Sequence, residues 1–146
     1  NPYLSTRNWT GKNPVRIIID ESNKLAENAN IFNLDADTII MNRKLSTVKN
    51  NVEFYKIDDE KTSIDAVMEC LHSRQINSVI IEGGTKTLQL YINAGLWDEA
   101  RVITNTVLFL NKGINAPLLH HQNLESSHDI LNDRIDYFLN NNNDSL

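Results

Sequence analysis

Cysteine is almost absent from this chain, because Cys70 is the only one among 146 residues. A lone thiol forms no disulfide within its own chain, and its place on an amphipathic stretch predicts a small buried hydrophobic residue. No apolar run approaches the roughly 20 residues that cross a membrane, and the first residues do not resemble a secretory signal. These absences predict a protein of a reducing, cytoplasmic compartment with no membrane partner.

Clustered positive charge is also missing. The formal net charge is −5 and there is no long run of lysine and arginine, so the electrostatic footprint of a nucleic-acid-binding protein is absent. A small phosphorylated ligand is still compatible with this charge, because a few backbone N–H groups and one or two arginines bind a phosphate locally.

Hydrophobic residues recur with periods that predict alternating strands and helices. The first 14 residues are polar and contain proline and glycine, which predicts a loop. Strands are expected over 15–20, 38–41, 52–57, 77–81, 98–110 and 129–139, helices over 63–74 and 86–94, and a loop over 111–125. We expect the first strand to be covered on both faces, Ser63 to cap the first helix and Gly95 to end the second. The order predicts one α/β domain with a parallel core and antiparallel strands at its end.

The most informative segment is Ile80-Ile81-Glu82-Gly83-Gly84-Thr85, an apolar stretch that ends in an acid and two glycines before a helix. A phosphate approaches a helix start closely only where Cβ atoms are absent, and the N–H groups there favour negative charge. The carboxylate of Glu82 is then expected to face the crevice where open α/β sheets bind ligands. Glycine pairs also form plain turns, so the segment alone leaves both interpretations open. It lacks the third glycine of the dinucleotide fingerprint and the Gly-Lys-Ser/Thr of a Walker motif.

The opening, Asn1-Pro2-Tyr3-Leu4-Ser5-Thr6-Arg7, is a second signal. An arginine in a polar loop is usually solvated, but a loop over the same crevice would let its guanidinium grip a phosphate with two parallel hydrogen bonds. Spacing alone leaves these alternatives open. By contrast, we expect no metal site, because the loop histidines lack Cys or Glu at ligand spacing; these are His120, His121 and His128.

Four motifs occur here in a fixed order: residues 1–7, 13–20, 81–84 and 95–99. Together they resemble the reductase half of the bifunctional riboflavin-biosynthesis deaminase/reductase, the RibD family, as far as about residue 118. The resemblance implies a dihydrofolate-reductase-like three-layer fold, with a mixed, mostly parallel sheet and flanking helices. It also implies NADPH as cofactor and reduction of 5-amino-6-(5-phosphoribosylamino)uracil to its ribitylamino product, with hydride delivered to the ribose C1.

Position by position, the resemblance implies that Leu4, Arg7 and Glu82 contact the substrate, with Arg7 near the ribose phosphate. Glu82 is the implied catalytic residue, which hydrogen-bonds the ribose or pyrimidine and helps relay a proton; a helix cap is its alternative role. Glu21 falls on a cofactor-side position where relatives can carry a small polar residue, so an acid there is a departure. The remaining implied cofactor contacts are Gly83, Gly84, Thr85, Lys86, Thr87 and Leu88.

The resemblance also bears on partners. In the family an early strand of the reductase domain and a zinc deaminase domain precede the first motif, so we expect residues 1–146 to be one partial domain, inactive alone, with a deaminase in cis. An exposed sheet edge predicts a homodimer. The alternatives are a reductase acting on the still-aminated diaminopyrimidine, a dihydrofolate-type reductase, and a non-catalytic nucleotide-binding or oligomerisation module.

Overall fold

A computed structural model describes residues 1–6 and 10–141, which fall into two compact units, Asn1–Ser78 and Val79–Leu146. The described strands and helices are those of an α/β protein, and the expected class is confirmed. The described elements of the first unit are β1 (Arg16–Ile19), a 3-10 turn (Asn30–Phe32), β2 (Thr38–Asn42), β3 (Thr47–Lys49), β4 (Val52–Lys56) and α1 (Ser63–Ser73). Those of the second are α2 (Thr85–Asn93), β5 (Glu99–Asn105), β6 (Gln122–Ile130) and β7 (Asp133–Asn140).

A four-stranded sheet in the order β1-β2-β4-β3 organises the first unit. Strands β1, β2 and β4 are parallel, and β3, which the sequence did not predict, is antiparallel to β4. Every residue of β2 is buried. Since successive side chains of a strand point to opposite faces, Ile39 and Met41 pack in one cluster with Val67 and Cys70, while Ile40 packs in another with Ile31.

The doubly covered strand is therefore β2, whereas the sequence predicted this environment for the first strand. In β1 only Arg16 is buried, and Ile19 is 37% exposed. Among the described residues β1 pairs with β2 alone and forms an edge of its sheet, which explains the lower burial of its isoleucines.

The N-cap of helix α1 lies one residue earlier than predicted. Thr62 is the N-cap, with an extended backbone and a side-chain oxygen that accepts a hydrogen bond from the N–H of Asp65 at 3.2 Å. Ser63 is the first helical residue, and its hydroxyl donates instead to Glu21. The predicted cap at Ser63 is wrong because the preceding threonine reaches the third helical N–H first.

An antiparallel sheet in the order β5-β7-β6 organises the second unit. The predicted strand 98–110 ends early, at Asn105. The side-chain oxygen of Asn105 accepts hydrogen bonds from the N–H groups of Val107 and Leu108, at 3.0 and 2.6 Å. This local turn withdraws both N–H groups from a strand ladder.

The end of the chain is a hairpin rather than one strand. The sequence predicted a loop over 111–125 and a strand over 129–139, but β6 and β7 run antiparallel and turn at residues 131–132. Strand β6 reads Gln-Asn-Leu-Glu-Ser-Ser-His-Asp-Ile and is almost wholly exposed. It lacks the apolar–polar alternation that identifies a half-buried strand.

Residues 77–81 also differ from the prediction, because they form no strand ladder in the described part of the chain. Val79 and Ile80 are 47% and 84% exposed, so the apolar run that predicted a buried strand is accessible to solvent. Across residues 1–6 and 10–141, no helix combines the length and apolarity that a membrane crossing needs.

Candidate functional site

The amino end of helix α2 is open to a ligand. Its N-cap is Gly84, which makes no side-chain capping hydrogen bond. The first backbone bond runs from the N–H of Leu88 to the carbonyl of Gly84, at 3.2 Å. Helix geometry leaves the N–H groups before that bond without an intrahelical partner, and these belong to Thr85, Lys86 and Thr87. An uncapped helix start of this kind attracts anions.

The two glycines before α2 have different reasons to be glycine. A Cβ built on Gly83 would lie 2.7 Å from the Cβ of Thr87, so packing against the first helical turn excludes any side chain there. A Cβ on Gly84 would meet nothing within 4 Å, and its φ of −68° suits any residue. The fold does not require Gly84, whereas a phosphate held against the helix start requires open space at that point.

Glu82 is exposed beside this opening. The sequence left open that Glu82 caps α2. In the structure the N-cap is Gly84 and there is no side-chain capping hydrogen bond, so Glu82 does not cap this helix. Among the described residues the carboxylate of Glu82 makes no hydrogen bond or ion pair with the protein. Its oxygens are available to a ligand.

Residues 113–118, within the predicted loop 111–125, contact α2, and this contact was not predicted from the sequence. The hydroxyl of Thr85 donates to the carbonyl of Asn115 at 2.6 Å. The amide of Gln89 forms two bonds with Leu118, donating to its carbonyl at 3.1 Å and accepting from its N–H at 2.8 Å. These partners are 29 or 30 residues apart, so no local pattern signals them. The Thr85 side chain is thus committed to the loop, which leaves its backbone N–H for a ligand.

The other implied contacts on α2 differ in exposure. Lys86 is exposed at the first turn, where its ammonium group suits an anion. Thr87 and Leu88 are partly buried, and Thr87 contacts the Gly83 position. The backbone N–H groups and the Lys86 side chain are therefore the groups of this helix start that are best suited to an anion.

In the first unit, a buried arginine anchors the segment that contains Leu4. Arg16 is 2% exposed, and its Nη1 atom donates to the carbonyl of Tyr3 at 3.1 Å and to the side chain of Asn33 at 2.8 Å. Burial lowers the pKa of the Arg16 guanidinium. Leu4 is partly buried and has a left-handed φ of 49°. Arg7, the implied phosphate contact, lies outside the described residues.

Arg16 was not recognised from the sequence as a structural residue. The only signal was a charge inside an apolar strand, Val15-Arg16-Ile17-Ile18-Ile19. A buried charge is stable only when it is hydrogen-bonded, and such a position predicts partners brought in from distant segments.

Glu21 follows β1 and is held by two groups of its own unit. Its Oε2 accepts from the Nε of Arg43 at 3.3 Å, and its Oε1 accepts from the hydroxyl of Ser63. The Ser63 hydrogen bond, followed by that of Arg43, lowers the pKa of the Glu21 carboxyl. The implied cofactor-side position thus carries a charged carboxylate already bound to an arginine.

Among the described residues there is no group of three His, Cys, Asp or Glu side chains placed to hold a metal ion. His128 packs edge to face on the Tyr137 ring, with 5.6 Å between the ring centroids. The backbone carbonyl of His121 accepts a hydrogen bond from the N–H of Asn141 at 2.8 Å.

Comparison with known proteins gives consistent matches. A family model described as the RibD C-terminal domain matches residues 1–113. The chain is 32% identical over 127 residues to the 2,5-diamino-6-ribosylamino-4(3H)-pyrimidinone 5′-phosphate reductase of Aquifex aeolicus, covering 82% of this chain and 56% of that protein. The Archaeoglobus fulgidus protein of the same name is 27% identical over 96 residues, with 62% and 44% covered. The chain thus spans about half the length of these curated relatives.

Two solved structures share the fold. The Thermotoga maritima diaminohydroxyphosphoribosylaminopyrimidine deaminase/5-amino-6-(5-phosphoribosylamino)uracil reductase matches with a TM-score of 0.79 and 22% identity, over 95% of this chain and 41% of its own. The Saccharomyces cerevisiae riboflavin biosynthesis reductase matches with a TM-score of 0.70 and 17% identity, over 88% of this chain and 70% of its own.

Proposed function

The chain belongs to the RibD C-terminal domain family, and from this membership we propose that it serves the NADPH-dependent reduction of 5-amino-6-(5-phosphoribosylamino)uracil in riboflavin biosynthesis. The observation that carries the proposal is the uncapped start of α2, with open space at Gly84 and an uncommitted carboxylate at Glu82. Because the chain spans about half of its curated relatives, the activity is proposed for the protein as a whole.

The start of α2 fits the phosphates of a nicotinamide dinucleotide. The backbone N–H groups of Thr85, Lys86 and Thr87 and the Lys86 ammonium group hold them, while Gly84 keeps the approach free of side chains. A bound nicotinamide supplies the hydride. The bonds from Thr85 and Gln89 to the 113–118 loop fix the first turns of the helix, so that its N–H groups are oriented before a ligand arrives.

Glu82 is the proposed catalytic residue. Its carboxylate accepts hydrogen bonds from the ribose or pyrimidine of the substrate and relays a proton as the ribose C1 is reduced in a ring-opened, imine-like form. The protein contributes position and electrostatics to this step. Leu4, whose segment is held by Arg16, and Arg7 are the other proposed substrate contacts, with Arg7 at the ribose phosphate.

A second candidate substrate is the diaminopyrimidine that has not been deaminated. One observation favours it: the curated relatives of Aquifex aeolicus and Archaeoglobus fulgidus carry its name. Supplying the purified protein with each pyrimidine in turn and following NADPH absorbance separates the candidates, since the preferred substrate gives the higher kcat/KM.

The Glu82 assignment is tested with Glu82→Gln in the full-length protein. The change keeps shape and removes charge, and we expect kcat/KM to fall by about a hundredfold, the low end of general acid–base contributions. Glu125→Gln is the matched control, because Glu125 is an exposed glutamate of the same unit without a proposed role. An unchanged kcat/KM in Glu82→Gln would show that the assignment is wrong.

A non-catalytic nucleotide-binding module is the alternative from another class. Calorimetric titration with NADPH and NADH distinguishes it from a reductase. Binding of NADPH together with turnover of a ribosylamino pyrimidine supports the reductase, whereas NADPH binding without turnover of either pyrimidine supports the module. No binding of either dinucleotide contradicts the proposed function.

The proposed partners follow from the same family. A deaminase on the same polypeptide is proposed by analogy with the Thermotoga maritima protein, whose name includes both activities. A homodimer in the cytoplasm is also proposed. Strand β5 pairs with β7 alone among the described strands, and an open edge favours association. Sedimentation of the purified protein tests the dimer.

A further inference from the structure

Three side chains meet at the carboxyl ends of two neighbouring parallel strands. Glu21 lies two positions after the end of β1, and Arg43 directly follows β2. Ser63 is the first residue of α1. The carboxylate of Glu21 joins them, accepting from the Arg43 Nε at 3.3 Å and from the Ser63 hydroxyl. In open α/β sheets, this is the edge at which ligands bind.

The backbone fixes Arg43 in its orientation. Its Nη1 donates to the carbonyl of Asp58 at 3.0 Å and its Nη2 to the carbonyl of Lys61 at 3.1 Å. Its own N–H donates to the carbonyl of Glu21 at 3.2 Å. With both terminal nitrogens held, the Nε edge is the side that faces the Glu21 carboxylate.

An arginine nitrogen and a hydroxyl placed together are groups that bind phosphate. In this protein the Glu21 carboxylate binds the arginine nitrogen and the hydroxyl in place of a phosphate. The side chain of Glu21 is 45% exposed and that of Arg43 is 29% exposed, so a ligand arriving from solvent reaches both groups.

Resting on the proposed reductase function and its cofactor-side role for Glu21, we propose that Glu21 sets the cofactor specificity. By occupying Arg43 and Ser63, its carboxylate competes with the 2′-phosphate that distinguishes NADPH from NADH. The protein therefore accepts NADH nearly as well as NADPH, although its family resemblance implies NADPH.

The negative charge of Glu21 explains why its carboxylate weakens the binding of NADPH and not that of NADH. Hydrogen bonds from Ser63 and Arg43 lower the pKa of Glu21, so the carboxylate is ionised at neutral pH and repels a phosphate. A 2′-phosphate must also displace the carboxylate from Arg43 to bind there. NADH meets neither cost, because its ribose carries a neutral hydroxyl in place of the 2′-phosphate. Solvent screens the repulsion at this exposure, which limits the effect to about tenfold in affinity.

The test is calorimetric titration of the protein with NADPH and with NADH. We expect the two dissociation constants of the wild type to differ by less than about tenfold. In Glu21→Gln and Glu21→Ser, NADPH binding tightens by about tenfold and NADH binding is unchanged. Glu27→Gln is the charge-matched control, because Glu27 is an exposed glutamate of the same unit without an assigned role, and it leaves the ratio as in the wild type.

A second titration with 2′,5′-ADP and 5′-ADP isolates the phosphate from the nicotinamide. The same two variants gain affinity for 2′,5′-ADP alone. If NADPH binds but both variants keep the wild-type ratios, the inference is overturned and the proposed function stands. If neither dinucleotide binds the wild type, the proposed function fails and the inference fails with it. Native-like circular dichroism spectra of the variants at the titration temperature show that loss of folding is not the cause.

Discussion

The guanidinium of Arg16 donates a hydrogen bond to the backbone carbonyl of Tyr3, with 3.1 Å between the two atoms. This bond ties strand β1 to the segment that carries Leu4. The same side chain donates to the carbonyls of Asn33 and Ala36, at 3.2 and 2.6 Å. A charge buried in the sheet therefore organises the polar opening of the chain.

Replacing Arg16 with methionine tests this role. We expect Arg16→Met to lower the free energy of unfolding by about 3 kcal/mol, because the Tyr3 carbonyl and the Asn33 side chain each lose a charged hydrogen-bond donor. Urea denaturation measures the loss. Lys12→Met is the control, since Lys12 is exposed in a loop of the same unit; equal stability of the two variants would contradict the structural role.

The two glycines before α2 are expected to respond in opposite ways to alanine. Gly83→Ala places a Cβ 2.7 Å from the Cβ of Thr87, and such overpacking costs about 2 kcal/mol of stability. In Gly84→Ala the new Cβ has no neighbour within 4 Å, so we expect stability to be unchanged. NADPH binding should weaken at least about tenfold, because the methyl group keeps the phosphate away from the helix start. Thermal denaturation and calorimetry measure the two effects. Normal NADPH affinity in Gly84→Ala would argue against a phosphate at this helix start.

The thiol of Cys70 is expected to be unreactive in the folded protein. It is fully buried, and burial is the main cause that raises the pKa of its thiol. Because the thiolate is the reactive form, reaction with an aromatic disulfide reagent should proceed only as fast as the protein opens. Comparing the rate without and with denaturant checks this, and rapid labelling of the native protein would contradict it.

The ionised carboxylate of Glu21 is expected to stabilise the folded protein at neutral pH and to lose this effect in acid. Hydrogen bonds from Ser63 and then Arg43 lower the pKa of its carboxyl below the ordinary value of 4.5. The folded state thus favours the ionised form, so the contribution is present above about pH 4.5 and is lost as the pH falls. Urea denaturation of wild type and Glu21→Gln should show a difference at neutral pH that shrinks near about pH 3. A stability difference that increases as the pH falls would contradict this prediction.

Elements with a strong periodic pattern were predictable. The apolar run of β2 and the helical spacing of α1 gave correct elements, and Gly95 ends α2 with a φ of 68° as predicted. Strand β6 and the early end of β5 were not predictable. The first is exposed and polar, and the second depends on the Asn105 side chain binding N–H groups ahead of it. Such local competition is decided by geometry that residue periodicity does not encode.

For the candidate site, the sequence indicated a segment but not the contacts that its side chains make. Glycines and an acid before a helix indicated the start of α2, and the structure leaves it uncapped. The commitment of Thr85 to Asn115 and of Glu21 to Arg43 involves residues 30 and 22 positions apart. Only the folded chain brings these partners together, so sequence patterns do not reveal these contacts.

The contact at Gly83 also constrains how this segment can change over evolutionary time. The atom that excludes a side chain at position 83 is the Cβ of Thr87, together with its Cγ2 at 3.0 Å. Every amino acid except glycine carries a Cβ, so trimming residue 87 to alanine does not relieve the clash. A side chain at position 83 is therefore expected to cost stability unless position 87 has itself become glycine, a change that weakens the first turn of α2. We expect substitutions at these two positions to depend on each other.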